Sequence, residues 1–495
     1  MLKTNEKSGM EFHANLVDII EKKIYPAIVK VSGGKIESIR EVDEEADRYI
    51  LPGFVDAHIH IESSMVSPLA FSRTAVRHGT VGVVSDPHEI ANVLGIPGVD
   101  FMVSDAERTP LKILFGAPSC VPATSFESSG SVISSKDIRG LLQKEEIGYL
   151  SEMMNYPGVI FGDKEVLEKL SIAKELGVPV DGHAPGVRGR ELETYANAGI
   201  STDHECFDEE EAREKIKLGM KILIREGSGA KNFQALIPLL KEFPDKIMFC
   251  SDDLHPDNLL EGHINLLVKR SLDLGYDLFD TLRAAGYNAM EHYGINVGML
   301  RVGDPADFIV VDSLDNLQIL STVIDGIAVF DKNEVKIPDG RSTPVNKFNI
   351  HPVSENDIRV EYEGGLMKVI QAINGELITR VETLEPLVRD NLVVSDTERD
   401  VLKIVVVNRY EQAEPAAAFI KGFGLKYGAL ASSIAHDSHN IICVGTSDRE
   451  ITETINWVIK NKGGIAVHDG SEVYGLPLEI AGIMATTSVE EAATA

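Results

Sequence analysis

Between Gly53 and Asn296 short apolar runs alternate with amphipathic helical stretches, and the alternation repeats eight times. The runs are FVDAHIHIE, TVGVVSDPHE, LKILFGAPS, GYLSEMMN, VPVDGHAPG, ISTDHECF, MKILIREGS and KIMFCSDD. Stretches such as LAFSRTAVRHG, KEVLEKLSIAKELG, ELETYANAG, EEAREKIKLG and FQALIPLLKEFP lie between them. Several close on Gly, as helix C-termini do. A strand followed by a helix returns the chain to the same sheet in parallel, so eight such units predict a (β/α)8 barrel over 53–296. A doubly wound open sheet is the competing arrangement and would use fewer strands.

The flanks read differently. YPAIVKVSGGKIESI alternates around a Gly-Gly turn, a hairpin signal, and GMLRVGDPADFIVVD with NLQILSTVIDGIAVFDKNEV has the same texture after the barrel. The flanks 14–52 and 297–349 are therefore expected to join in one small β-sandwich, with the barrel inserted between them. Residues 350–495 mix strands (IRVEYEGGLMKVIQAI, DVLKIVVVNRY, IICVGTS, GGIAVHDG) with helices (EPAAAFIKGFG, DREITETINWVIKNKG), which predicts a C-terminal α+β or α/β domain. VEEAATA reads as a last helical turn, and residues 1–12 read as a mobile polar segment without a secretion signal.

Charge narrows the partners. Asp plus Glu number 77 against 48 Lys plus Arg, a net charge of -29, which argues against nucleic acid or an anionic membrane. No apolar run approaches the ~20 residues of a membrane span. Cys120, Cys206, Cys250 and Cys443 are widely spaced, which fits reduced thiols in a cytoplasm better than a disulfide framework. The size of the third domain makes a homo-oligomer, a dimer, the expected state.

The chemistry-bearing residues recur at the C-terminal ends of the predicted strands, the face where such barrels build their sites. The first strand gives His58, His60 and Glu62, the second Asp86, His88 and Glu89, and the fourth Glu152. The fifth gives His183, the sixth Asp203, His204 and Glu205, the seventh Arg225 and Glu226, and the eighth Asp252 and Asp253. On an extended strand residues i and i+2 face one side, so His58 and His60 point together. A bare HxH is also what an ordinary histidine pair looks like; a ring of partners at matching strand ends is not what solvation produces. The set suits two divalent ions, with Mn or Fe favoured by the oxygen-rich donors and Zn possible. His58, His60 and Asp252 are expected on one ion, His183 and His204 on the other, and Glu152 between them. A water acidified between the ions is the expected nucleophile. Asp252 is placed to take its proton and return it to the leaving group.

Each residue has a plainer reading. His183 in GHAPG could be a loop histidine with an ordinary hydrogen bond, Glu152 a surface carboxylate, and Asp252 with Asp253 a helix N-cap pair before LHPDNLL. The SDPHE turn could be a rigid loop bound by its own Asp and Pro. His78, His263 and His292 fall in helical stretches and read as structural.

With these residues in place, the HxH strand, the histidines after strands five and six, the Asp after strand eight and the trailing GDPADFIVVD resemble the amidohydrolase superfamily over residues 14–349. Dinuclear members usually bridge their metals with a carboxylated lysine from strand four; here Glu152 stands at that point. PGFVDAHIHIESSM, VVSDPHEIANVLG, SEMMNYPGVI, DGHAPG, STDHE, CSDDLHPDNL and SSIAHDSHNI are similar to the bacterial and archaeal adenine deaminases. The resemblance implies hydrolysis of adenine to hypoxanthine and ammonia at a Mn- or Fe-type dinuclear centre, with a C-terminal domain proper to the family. Asp253, Glu89, Asp86 and His88 are then the candidates for holding ring nitrogens. His436, Asp437 and His439 of AHDSHN have the polar density of a site, or else seat the third domain or a subunit contact. A cyclic amidase using the same metal chemistry is the alternative; a scaffold without activity would be expected to have lost ligands.

Overall fold

The computed structural model describes residues 10–375 and 378–495. Most of the expected N-terminal mobile segment, residues 1–9, lies outside them. Met10–Phe12 instead open a strand, Met10–Asp18, because they pair with Val29–Val31 and Phe12 packs edge-on against Phe308 at 4.9 Å.

The barrel strands are β1 (Phe54–Ile59), β2 (Thr80–Ser85), β3 (Lys112–Ala117), β4 (Ile147–Met153), β5 (Val180–Gly182), β6 (Thr202–Asp203), β7 (Lys221–Arg225) and β8 (Ile247–Cys250). β1 to β5 form one parallel sheet and β6 to β8 another. Ser201 N donating to Val180 O at 2.9 Å links β5 to β6. The ring closes between β8 and β1, where Asp252 N donates to His58 O (2.9 Å) and His60 N to Asp252 O (3.2 Å). Every residue of β1, β2 and β8 is buried. Burial on both faces is why these runs read as continuously apolar.

Both flanks join outside the barrel, as expected, in an eight-stranded sheet. Tyr49–Pro52 is the seam: it runs parallel to Met10–Asp18 and antiparallel to Phe308–Val311. The layers of the expected sandwich are parts of this one sheet. It curls until Lys35–Glu41, at its edge, meets the turn before Phe308, with Ile36 N donating to Asp304 O at 3.0 Å. The curl encloses Leu16, Val29, Val31, Ile36, Ile50 and Phe308.

The C-terminal region is a second eight-stranded sheet with the helix Asp448–Asn461 packed on it, capped by Ser447. EPAAAFIKGFG does not form the expected helix. Ala416–Lys421 is a strand between Met367–Ala372 and Val401–Val407. The helical preference of alanine, a few tenths of a kcal/mol per residue, is overridden by two ladders and the burial of Phe419 and Ile420. This region is packed into the barrel: Tyr410, Ile480, Ala481, Ile483 and Met484 belong to the barrel's own core, and Ala485 N donates to Met65 O at 2.7 Å. Among the described residues no helix is long and apolar enough to cross a membrane.

Candidate metal centre

The barrel brings together all six expected ligands. His58 is the last residue but one of β1 and His60 lies just past it; Glu152 is in β4; His183, His204 and Asp252 follow β5, β6 and β8. Nε2 of His58 and Nε2 of His60 face each other at 3.2 Å, and Asp252 Oδ1 lies 3.7 Å and 3.1 Å from them. Glu152 stands between two groups. Its Oε2 is 2.7 Å from His183 Nδ1 and 3.2 Å from His204 Nε2, and its Oε1 is 3.4 Å from both His60 Nε2 and His88 Nδ1. His58 and His204 stack with ring centroids 4.2 Å apart.

The donors fit divalent cations. Two facing imidazole nitrogens need a proton or a cation between their lone pairs. Buried His58 Nδ1, Asp86 Oδ2 and both His88 ring nitrogens have no hydrogen-bond partner among the described residues. Five sets of ligating atoms converge among the described residues: His60, Asp86, His88 and Glu152; His58, His204 and Asp252; Glu152, His183 and His204; His60, Asp252 and Asp253; and Glu89, Asp253 and His436. The titration pattern agrees. Burial pushes the Glu152 carboxyl up, but His183 and His204 outweigh it and hold it well below the usual carboxylate range. Burial likewise opposes ionisation of Asp252, and His60, His204 and Arg225 hold its carboxyl well below that range. Burial lowers the affinity of His183 for a proton, yet the Glu152 carboxylate lifts its pKa to about 9. The pocket thus collects positive charge, the charge a divalent ion supplies in exchange for protons.

The supporting shell explains why these side chains point inward. His60 Nδ1 bonds Asp86 O at 3.1 Å, which leaves Nε2 for the cluster. Arg225 of β7 donates to both oxygens of Glu205, one at 2.8 Å, and to Asp252 Oδ2, so it orients two carboxylates. Asp181 faces His58 Nδ1 at 3.8 Å and is held by Tyr293 and Thr202. Asp56 receives Ser251 N (3.1 Å) and faces His263 Nε2 (2.7 Å) beneath the pair. Lys215, fully buried, bonds Ala184 O (2.8 Å) and Glu211 (2.7 Å) and pairs with Asp203 (3.1 Å), tying the loops that carry His183 and His204. Lys215→Met is expected to cost about 3–5 kcal/mol, because it strands two buried carboxylates without their cation. Denaturant unfolding followed by circular dichroism measures it, and an unchanged midpoint would contradict the assignment.

The other candidates fall as follows. Asp86 caps its own turn, with His88 N donating to Oδ1 at 3.1 Å, and its Oδ2 lies 3.2 Å from His88 Nδ1. His88, expected among the substrate contacts, thus also reaches the ligand cluster. Glu89 and Asp253 share Ser63, whose Oγ is 2.9 Å from Glu89 Oε1 and 2.6 Å from Asp253 Oδ1. The helix after β8, Pro256–Glu261, is preceded by His255 rather than either aspartate, so Asp252 and Asp253 are not its cap. Glu62 is buried beside Glu89; burial, then that neighbour, raises its pKa to about 8. His78, His263 and His292 bond Leu259 O, Thr80 and Ser201 outside the cluster. Sequence reasoning missed Asp181, Asp56 and Ser63. Asp181, two residues before His183 on a predicted strand, had a periodicity signal; Ser63 had none.

Comparison with known proteins gives the same assignment. Residues 49–329 match the amidohydrolase family model and residues 376–495 the adenine deaminase C-terminal domain model. The chain is 51% identical over 492 residues to an adenine deaminase of Methanosarcina mazei, covering 97% of this chain and 89% of that one. It is 53% identical over 471 residues to that of Salinibacter ruber (95% and 86%) and 45% identical over 495 to that of Borreliella burgdorferi (98% and 90%). Among solved structures, a dihydropyrimidinase from Brevibacillus agri is similar in fold, with a TM-score of 0.51 at 15% identity over 66% of this chain and 96% of that one. Two family models in tandem, relatives matched over nearly the whole length and a buried divalent-metal donor set agree: the chain belongs to the adenine deaminase family of amidohydrolases.

Proposed function

We propose that the chain hydrolyses adenine to hypoxanthine and ammonia. The observation that carries this is the relatedness to adenine deaminases over barrel and C-terminal domain alike. Two ions held by His58, His60, Glu152, His183, His204 and Asp252 would acidify a water to supply the nucleophile. Mn(II) or Fe(II) suits this mixed imidazole and carboxylate set, with Zn(II) the further candidate.

The chain's own residues do the rest. Water adds at the amino-bearing ring carbon, one of its two protons ends on the neighbouring ring nitrogen, and the carbon–nitrogen bond to the exocyclic amine breaks as that amine takes the other proton and leaves as ammonia, the oxygen staying on carbon as the carbonyl. Asp252 takes the proton of the water and delivers it to the amine. Its Oδ2 is held by Arg225, which leaves Oδ1 facing the cluster. Asp86, His88, Glu89 and Asp253 surround the place where ring nitrogens need partners, and Glu152 spans the two ligand groups. The same reading divides the chain into 14–52 with 297–349, 53–296 and 350–495. It places the enzyme in a cytoplasm, which its four free, buried cysteines support, and takes it as a homodimer, a state that light scattering reads directly.

The test is ammonia release by protein reconstituted with Mn(II), offered adenine, adenosine, cytosine and a hydantoin in parallel, with metal counted per chain. Release from adenine alone, with about two ions bound, is the expected result. Hydantoin ring opening without ammonia would make the chain a cyclic amidase instead.

A further inference from the structure

We propose that the C-terminal domain completes the substrate pocket, with His436 and Asp437 as positioning residues for recognition of the base. The inference rests on the adenine reading above and concerns the same site.

The expected ligands other than His183 are buried, as are Asp86, His88 and Glu89. The titratable groups with exposure around the rim include His183, Asp253 and Glu127 from the barrel and His436 and Asp437 from the C-terminal domain. Part of that rim thus comes from a region remote in sequence.

Each of the two residues supplies something the barrel lacks. Ser63 has one hydroxyl hydrogen, yet both Glu89 Oε1 and Asp253 Oδ1 lie within hydrogen-bond distance of its oxygen. The carboxylate pair therefore needs a second donor, and His436 Nδ1 lies 3.3 Å from Glu89 Oε1. Glu89, Asp253 and His436 offer converging atoms. Asp437 Oδ1 faces His88 Nε2 at 3.6 Å, on the far side of the ring from Nδ1, which looks toward Asp86 and Glu152. Asp437 thus lies within ion-pair distance of a ring that reaches the centre.

The segment that carries them is anchored, so the placement does not depend on the two side chains themselves. Tyr410 OH donates to Ser438 O (2.6 Å) and Asn440 Nδ2 to Ser128 O of the barrel (2.9 Å). Arg409, fully buried, reaches His439 O (3.3 Å), Asn346 Oδ1 (2.9 Å) and Ala481 O (2.7 Å). A flat base that presents both donors and acceptors along its ring edge matches a rim of imidazole and carboxylate groups fixed in this way. Misplacing such groups by an ångström costs up to about 100-fold.

The experiment compares His436→Ala and Asp437→Ala with the unaltered full chain, all reconstituted with Mn(II). Both alanine variants are expected to lose about 10- to 100-fold in kcat/KM for adenine, carried mostly by KM, with metal content and melting temperature unchanged. His436→Gln, which keeps a donor, and Asp437→Asn, which keeps an acceptor, are expected to recover part of the loss. Arg449→Ala, on the exposed face of the helix Asp448–Asn461 and bonded through its side chain to Glu453, is the control and is expected to leave KM close to normal. Wild-type kinetics in the alanine variants would overturn the proposal. So would a loss confined to kcat, or a fall in metal content or melting temperature that accompanies the rise in KM, which would reduce the segment to a docking element. An unaltered chain that releases no ammonia from adenine overturns the adenine reading first, and this inference with it.

Discussion

Glu152→Gln is expected to reduce bound metal from about two ions per chain to about one and to lower adenine turnover at least about 100-fold. The reason is the use of both oxygens. Oε2 faces His183 and His204 while Oε1 faces His60 and His88. A glutamine of the same shape offers one carbonyl oxygen and one NH2, and the NH2 has no lone pair for a cation. Whichever way the amide turns, one group loses its shared ligand. Its hydrogens would also point at imidazole nitrogens that now find an acceptor. The fold should survive, because the substitution is isosteric and Ser119, which bonds the backbone oxygen of Glu152, is unaffected. Elemental analysis beside a steady-state assay separates the outcomes. Two ions with near-normal turnover would show that Glu152 does not bridge.

The barrel and the ring of polar residues at its strand ends were legible in the sequence for one physical reason. Parallel strands covered on both faces must be apolar throughout, so a polar residue at a strand end stands out against its run, as His58 and His60 do after Phe54-Val55 and Asp252 after Phe249-Cys250. The shell behind them was much less legible. Arg225 was visible as a strand-end residue, but nothing local showed that its guanidinium would span Glu205 and Asp252, residues on either side of it in the chain. Ser63 lies one residue past Glu62 in a short helical turn with no period, and its importance comes from Asp253, 190 residues away. The AHDSHN segment was conspicuous by composition, yet its partners are Glu89 and His88 on another domain. The misread strand Ala416–Lys421 has the same origin: its neighbours, not its alanines, decide its conformation. Local pattern carries the scaffold; long-range pairing carries the support of the site.

Asp252→Asn is expected to abolish turnover, with kcat falling at least about 1,000-fold, while leaving the fold intact. The two halves of that expectation come from different parts of one residue. Its backbone closes the barrel: N donates to His58 O and O accepts from His60 N, so β8 is joined to β1 through this position. Its φ is +57°, a left-handed conformation that asparagine tolerates about as well as aspartate. Closure and strain are therefore unchanged by the amide. The side chain loses its charge. Oδ1 faces both histidines of the first pair, and the role assigned to it, accepting a proton from water and passing it to the leaving amine, needs a carboxylate. Arg225 is not left stranded, since Glu205 still accepts two of its hydrogen bonds. Asp252→Ala would remove the same charge but also empty a buried site, and is the poorer test. An Asp252→Asn protein with an unchanged melting temperature and ordinary turnover would remove Asp252 from the proton path and leave another nearby carboxylate, Asp253 or Glu89, to carry it. If turnover is lost but metal is still bound at Glu152, His183 and His204, the proton-transfer role stands apart from the ligand role.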